Sequence, residues 1–501
     1  MWTYLILIAS LLYLFYYWYT SKYDYFKQRG LLGPKPRFPF GNVPNAFLQK
    51  RNFIYDLDDI YQEYRKKVPF VGYFEAGTPK LLAISPEIAK DVMVKYFSNF
   101  HDNEFSKLFD KEADPIFGRN PFALRGQEWK EKRAEVTPAF TSTRLRSLFP
   151  LVEEVLERFK NYVHKEIPKN EPFDIREISA KFTTDVVSSC IFNADAQSFT
   201  KEKPEIREMG RKLVDFTSTF FLIQFIILSM FPWINNIYKF SFTPKDVSKF
   251  FINLMEQAVT IREKSNIKRD DYLSYLIELK KKKNLANIDM AAHGVTFFTD
   301  GFETSSLAIA YMLYEIANDK RVQEKFRKQI NEELIDENGK IIYEKMLEHE
   351  YLDQIFHETL RLHPILGVYN RECTEEITFD CNGRDFKIEK GMSVNVPIYS
   401  IHRDPDYYVN PTEFAPERFD AENGGVKEFR NRGVLMPFGD GSRICLGMRF
   451  ALMQSKAAVI EIVRNFELSV NDKTQRPLEI ERKQFINVVE GGLWLDMKAI
   501  K

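Results

Sequence analysis

The spacing of apolar positions along this chain sets out its elements. Residues 1–21 carry no charged side chain and run through Leu5, Ile6, Leu7, Ile8, Leu11 and Leu12 to Trp18 and Tyr19. About 20 such residues cross the ~30 Å apolar core of a bilayer as one helix, so the run reads as a retained anchor. A cleaved signal peptide is the rival. No basic stretch precedes the run, however, and bulky Phe15, Tyr16, Tyr17, Trp18 and Tyr19 stand where small residues would mark a cleavage site. Lys22, Lys27, Arg29, Lys35 and Arg37 follow against Asp24 alone, which assigns the remainder of the chain to the cytosolic side. Gly33, Pro34, Pro36 and Pro39 then break any helix and form a stiff tether. The resulting division is an anchor over 1–21, a basic, proline-rich hinge over 22–45 and a single folded body over 46–501.

Within the body the apolar period is mostly that of helix, over 127–140, 143–165, 178–192, 244–265 and 288–318. The last of these has some 30 residues at ~1.5 Å each, or ~45 Å, long enough to cross the molecule. Two hairpins are expected. One joins 70–74 to 81–84 through a Gly77, Thr78, Pro79 turn and leads into a helix capped by Ser85 with Pro86 in its first turn. The other joins 485–489 to 493–495 across Gly491 and Gly492. The charged stretch 278–283 reads as a solvated loop or a helix end. A second uncharged run over 216–238 is interrupted by Gln224, Pro232, Asn235 and Asn236, which argue against a second membrane span. A surface dipping into the same bilayer, a lid over an apolar cavity and an ordinary buried helix all remain open for it. The fold class is mainly α with small peripheral β-sheets.

Composition narrows the class. At 501 residues, 44% hydrophobic and 28% charged, the chain is neither disordered nor collagen-like nor a polytopic membrane protein. Lys plus Arg and Asp plus Glu both total 71, so there is no net basic field to hold nucleic acid. Cys190, Cys373, Cys381 and Cys445 show neither zinc spacing nor a disulfide framework, which fits a reducing compartment.

One cysteine is set apart. Cys445 follows a loop bent by Gly439 and Gly441 and precedes Gly447 and an apolar helical run from Met448 to about Phe466. A sulfur just before a helix meets backbone N–H groups and a dipole that favour thiolate, an anionic metal ligand. The glycines let the backbone approach a flat prosthetic group. The arrangement Phe438, Gly441, Arg443, Cys445, Gly447 resembles the haem-binding signature of the cytochrome P-450 monooxygenases, with Cys445 as proximal thiolate to the iron and Phe438, Gly439 and Gly447 around the haem.

Further motifs occur in that family's order. Glu358 and Arg361 match its ExxR pair, three apart on one helical face. Arg418, in a Pro416, Glu417, Arg418, Phe419 run, would complete a buried Glu-Arg-Arg cluster, a network that fixes register more than it adds stability. Trp129 and Arg133 match WxxxR, and by resemblance these two, with Arg371 and Arg443, would hold the haem propionates through bidentate guanidinium contacts. In the long helix, Asp300, Gly301, Glu303 and Thr304 resemble the oxygen-activation segment. Thr304 beside Glu303 would organise protons for dioxygen cleavage. Gly301, costly mid-helix by ~1 kcal/mol, would leave room for oxygen or haem. A hydroxyl-rich face bonding its own carbonyls is the bland alternative.

Most relatives carry Ala where this chain has Asp300, and a carboxylate there is costly unless paired or solvated. Three readings stand: a structural hydrogen bond, which is favoured; a contact to a polar or cationic substrate group; or an ester to a haem methyl, as a branch of the family with Glu at this site forms.

The resemblance spans essentially the whole chain and is nearest to microsomal, detoxification-type members of insects. It implies a P-450 fold over 46–501 that binds haem b and inserts one oxygen atom of O2 into a lipophilic small molecule. Electrons would come from NADPH through cytochrome P-450 reductase, with cytochrome b5 as a second donor, at the endoplasmic reticulum membrane. Lys130, Lys132, Arg430 and Arg432 are candidates for a basic patch docking that reductase. Phe117, Phe122 and the 216–238 run are expected to wall an apolar cavity. The rival functions are a haem-thiolate isomerase or dehydratase, against which Glu303 and Thr304 argue, and a noncatalytic haem sensor.

Overall fold

The computed structural model describes residues 1–215, 217–265 and 269–500. Helices dominate and three small sheets lie around them. The expected helices appear as Gly126–Val136 with a tight turn Thr137–Phe140, Ser142–Glu166, Ile175–Phe192, Lys245–Lys264 and Asn287–Asn318. Ile175–Phe192 starts three residues before its expected position because Asp174 caps it, accepting from the Glu177 N–H at 3.2 Å. The stretch 278–283 is a helix end, the last turn of Tyr272–Lys283.

The 32-residue helix Asn287–Asn318 is the axis of the molecule. It packs most extensively against Ile175–Phe192 and also against Met448–Asn465 and Lys245–Lys264. Its middle is buried on nearly all sides, as an apolar helix with no solvent face must be. A second core surrounds the four-stranded sheet, whose order is Phe70–Glu75, Thr78–Ala83, Ser393–Val396, Tyr369–Glu372.

Both hairpins differ from expectation. In the first, Thr78 and Pro79 already belong to the strand, opposite Glu75 and Phe74, and the turn is Ala76 and Gly77, with Ala76 at φ +50°. Pro79 is tolerated because the pairing of this strand with Ser393–Val396 begins only at Lys80. The second hairpin does not form. Trp494–Ala499 pairs instead with Phe466–Val470 and Phe173–Asp174. The Asn487 N–H turns to the Ile365 carbonyl at 2.9 Å, and Gly491 and Gly492 at φ +79° and +83° redirect the chain between the two segments. The Ser85 cap is as expected: its hydroxyl accepts from the Ile88 N–H at 3.3 Å.

The anchor helix Trp2–Thr20 exposes its apolar side chains along most of its length. It continues helically to Gln28, giving one run long and apolar enough to cross a membrane. Its end is docked. Tyr19 is buried, its hydroxyl donates to the Pro39 carbonyl at 2.7 Å, and it clusters with Phe47 and Ala76. The hinge is packed as well. Leu31 is buried, the Gly72 N–H donates to Leu32, and Gly33 lies so close to the first strand that a Cβ would stand 2.0 Å from the Gly72 carbonyl oxygen.

Of the 216–238 run, Phe216 lies outside the described residues. The remainder forms Thr219–Met230, twelve residues and too short to span a bilayer, followed by a tight turn Pro232–Asn236. Phe220, Ile223, Trp233, Ile237 and Tyr238 are exposed, while Phe225, Ile226 and Met230 pack on the Tyr19 cluster beside Phe15 of the anchor. An ordinary buried helix is thereby excluded, and the apolar outer face lies next to the end of the anchor.

Candidate active site

The loop before Cys445 is built around two left-handed glycines. Gly439 has φ +74°, and Gly441 has φ +69° with its Cα so close to Met93 that a Cβ would stand 2.1 Å from that residue's carbonyl oxygen. The loop closes when the Cys445 N–H donates to the Phe438 carbonyl at 2.9 Å, and Phe438 stacks on Phe356 at 6.1 Å. Met448–Asn465 then begins immediately after Gly447.

Cys445 is exposed, yet burial is the largest influence on its acidity, and it pushes the thiol up to about 11 with Asp300 adding to the effect. The N–H groups of Gly447 and Met448 and the charge of Arg133 act the other way and are outweighed. The N–H groups at the helix start favour the thiolate, as the sequence leads one to expect, and burial outweighs them. A cation at the sulfur would be required, and a metal supplies one. Exposure and desolvation coexist only if the exposed surface faces an internal cleft. Asp300 has the same signature: it is exposed in the midst of buried residues 297–303, and burial alone pushes its carboxyl up to about 7. The two residues face one cleft, Asp300 from the long helix and Cys445 from the loop before Met448–Asn465.

The cleft's basic rim fits an anionic ligand. Arg371, on the strand Tyr369–Glu372, is buried with no partner for its Nε among the described residues, and burial pushes it down to about 10. Arg443 is pushed down to about 9, first by burial and then by the charge of Arg371. Arg443 meets the Asp102 carboxylate at 3.3 Å, whereas the Arg371 Nε is left for an anionic ligand group. Arg443 also lies 4.2 Å over the Trp129 ring and donates to Leu124 at 3.1 Å, while Arg133 donates to the Ile444 carbonyl at 2.6 Å. A Cβ at Gly447 would meet nothing within 4 Å, so open space adjoins the residues that follow the sulfur. An exposed sulfur in a desolvated cleft, this open space and the unpartnered Nε of Arg371 beside Arg443 together fit a haem with its two propionates.

Beneath the loop the Glu-Arg-Arg cluster is present. Arg361 donates through Nε and Nη2 to the two Glu358 oxygens at 2.7 and 2.8 Å, and Arg418 Nε reaches Glu358 at 3.2 Å. Arg361 also holds the carbonyls of His402 and Pro411 at 2.8 and 2.7 Å, tying the helix Glu350–Leu362 to the segment before the cysteine loop.

The long helix adds to what its motif suggests. Gly301 faces the helix Ile175–Phe192: a Cβ there would stand 3.1 Å from Val187 Cγ1, so close helix packing also favours a small residue here. Glu303 is buried and paired with Arg176 of the same neighbouring helix, whose Nε donates to it at 3.1 Å. The Asp300 carboxylate has no hydrogen bond to any described residue, so the favoured structural hydrogen bond is absent. Thr304, one turn on, donates to the Asp300 backbone carbonyl, the self-bonding geometry, which leaves its oxygen free to accept. Phe117 is buried and stacked on Phe109 at 5.5 Å, whereas Phe122 is exposed beside Phe105.

Two contributors carried no motif. Asp102 accepts from Arg443 at 3.3 Å, Arg125 at 3.3 Å and the Gly126 N–H at 2.8 Å, joining three segments at the rim. Gln454 donates to the Gly301 carbonyl at 2.9 Å and the Ser305 hydroxyl at 2.8 Å, and its lone amide in an apolar helical run was its only trace in the sequence.

A sequence profile described as cytochrome P-450 matches residues 32–494, and the chain belongs to that family. It is 40% identical over 99% of its length to 98% of the Drosophila melanogaster protein named probable cytochrome P-450 28a5. It is 37% identical, with the same coverage, to probable cytochrome P-450 28d1 of that fly, and 32% identical to cytochrome P-450 6k1 of Blattella germanica, covering 98% of this chain and 95% of that one. The chain is thus a haem-thiolate monooxygenase of insect type, an enzyme that works with a redox partner on lipophilic molecules.

Proposed function

We propose that Cys445 is the axial ligand of haem b and that the enzyme oxidises lipophilic compounds, foreign or endogenous, with electrons from NADPH delivered by cytochrome P-450 reductase, cytochrome b5 serving as a second donor. The observation that carries the reading is the cleft itself, with one desolvated cysteine on its floor and buried Arg371, its Nε unpartnered among the described residues, at its rim. When bound, a haem with a thiolate ligand supplies the activation of dioxygen. This chain's residues bind and orient it. Arg371, Arg443, Arg133 and Trp129 hold the propionate edge. Phe438, Gly439 and Gly447 shape the sulfur side, and Glu358, Arg361 and Arg418 fix the loop that carries it. Thr304 holds a proton acceptor one turn from Asp300, and Glu303 is the neighbouring acid, bonded to Arg176; Gly301 lies against the neighbouring helix. Residues 1–21 anchor the protein in the endoplasmic reticulum membrane, 22–45 join anchor to body, and the catalytic domain, 46–501, faces the cytosol.

The exposed apolar face of Thr219–Met230, beside the end of the anchor, supports its immersion in the same membrane. Lys130 and Arg432 are exposed, as docking of a reductase requires, whereas Lys132 is paired with Glu135 at 2.9 Å and contributes less. The test is NADPH-dependent oxygen uptake by the reconstituted protein and reductase across a panel of lipophilic compounds. Product formation that needs NADPH supports the reading. Turnover without NADPH would identify an isomerase or dehydratase, and haem binding without turnover a sensor. Charge reversal at Lys130 and Arg432 lowers reductase-driven turnover and spares peroxide-driven turnover; equal loss of both contradicts docking there.

A further inference from the structure

Asp300 is a carboxylate with no internal partner. Its side chain makes no hydrogen bond or ion pair with any described residue, and the Thr304 hydroxyl goes to its backbone carbonyl instead. Its neighbours Phe297, Phe298, Thr299, Gly301 and Phe302 are buried, so the carboxylate projects into the cleft from an otherwise closed stretch of helix. Among the described residues no cation pairs with it: Arg133 and Arg443 lie at the cysteine loop, Arg133 donating to the Ile444 carbonyl. A carboxylate enclosed by buried neighbours is costly to charge, and among the described residues none pairs with it. A cationic group on the ligand would hold it ionised.

We propose that Asp300 is a specificity-determining residue that pairs with a protonated amine on the substrate, so that the preferred substrate class is lipophilic amines. The proposal rests on the haem-thiolate reading above and narrows its substrate. An apolar body fills the cleft while the ammonium group meets Asp300, and the uncharged analogue leaves the carboxylate unpaired. Discrimination is therefore strong, because the penalty for the wrong ligand falls on a buried group.

The test uses the full-length, haem-loaded protein in lipid nanodiscs and equilibrium dialysis of two probes of matched shape, dimethyl(phenylpropyl)amine and isohexylbenzene. Each affinity is corrected for the probe's own partition into the nanodisc lipid. The wild-type protein is expected to bind the amine at least about tenfold more tightly than the hydrocarbon, or ~1.4 kcal/mol. Asp300→Asn and Asp300→Ala are expected to abolish the preference while hydrocarbon binding holds or improves. A wild-type protein with no preference for the amine overturns the proposal without need of a variant. So does a preference that survives both substitutions, and so does haem that resists acid extraction from the wild type but not from Asp300→Ala, since that places an ester at Asp300. The reduced carbon monoxide spectrum of each sample separates these outcomes from failure of the underlying reading: a sample without the thiolate signature counts against Cys445, not against Asp300.

Discussion

The Gln454 side-chain amide donates to the Gly301 carbonyl at 2.9 Å, joining the helix that follows the cysteine loop to the middle of the longest helix of the molecule. A second bond from the same nitrogen reaches Ser305 at 2.8 Å, so one amide spans a full turn of its partner. These bonds set the separation of the two walls of the cleft at a point nine residues beyond Cys445. Gln454→Leu keeps the volume and removes the donor. It is expected to cost about 1–3 kcal/mol, lowering the melting temperature and the fraction of haem retained after gel filtration. Unchanged stability and haem content would show that packing alone sets the spacing.

The Glu358, Arg361 and Arg418 cluster is fully buried at Glu358 and Arg361. Removing one member strands the others: Arg361→Ala leaves Glu358 facing only Arg418 and the Ala415 N–H, and is expected to cost about 3–5 kcal/mol. The soluble fraction that binds haem, measured by absorbance per protein, should fall to a small residue of the wild-type value. Arg361→Lys, which keeps the charge but loses the two-pronged contact, is expected to fall between the two.

Two glycines make opposite predictions. Gly441→Ala adds a Cβ at a left-handed φ and against the Met93 carbonyl, so it should prevent the cysteine loop from closing and abolish haem binding. Gly301→Ala gains ~1 kcal/mol of helix propensity and meets Val187 at 3.1 Å and Phe297 at 3.5 Å, of which the first is tight and offsets much of the gain. Its melting temperature and carbon monoxide spectrum should stay near wild type. A Gly301→Ala protein that folds but no longer accommodates carbon monoxide would favour the oxygen-room reading.

His402 gives the stability a pH dependence. It is fully buried, accepts from the Met436 N–H at 2.9 Å, and is pushed down to about 3 by burial first and then by Arg361 and Arg403, against an ordinary value of ~6.5. The unfolded chain takes up a proton below ~6.5 that the folded chain refuses. Its contribution is therefore intact above that pH and is lost as pH falls toward 3, by about 2 kcal/mol between pH 6.5 and 5. Melting temperatures at pH 7 and pH 5 should differ less for His402→Gln than for wild type. Equal differences would mean that other groups dominate.

The fold was legible wherever periodicity was long. The helices at 143–165, 244–265 and 288–318 were placed within a residue or two, because twenty or more residues of consistent period outweigh local ambiguity. The C-terminal hairpin was not, because glycines signal a change of direction without naming the partner, and Trp494–Ala499 found one 28 residues back in Phe466–Val470 and another in Phe173–Asp174. At the site, the residues whose chemistry sits in short motifs were found, including Cys445, Glu358 and Arg361. What spacing does not encode is direction. Gly301 and Glu303 belong to the expected segment, yet both turn to the neighbouring helix, Glu303 onto Arg176. Asp102 was invisible because its partner Arg443 lies 341 residues away in sequence.

The central claim is that the sulfur of Cys445 binds the haem iron, and it is tested most directly by the absorbance of the dithionite-reduced protein under carbon monoxide. The account predicts the far-red-shifted Soret band that a thiolate ligand imposes, and its loss in Cys445→His protein that still holds haem. A folded, haem-loaded wild-type sample whose band stays at the position given by a histidine ligand would contradict it.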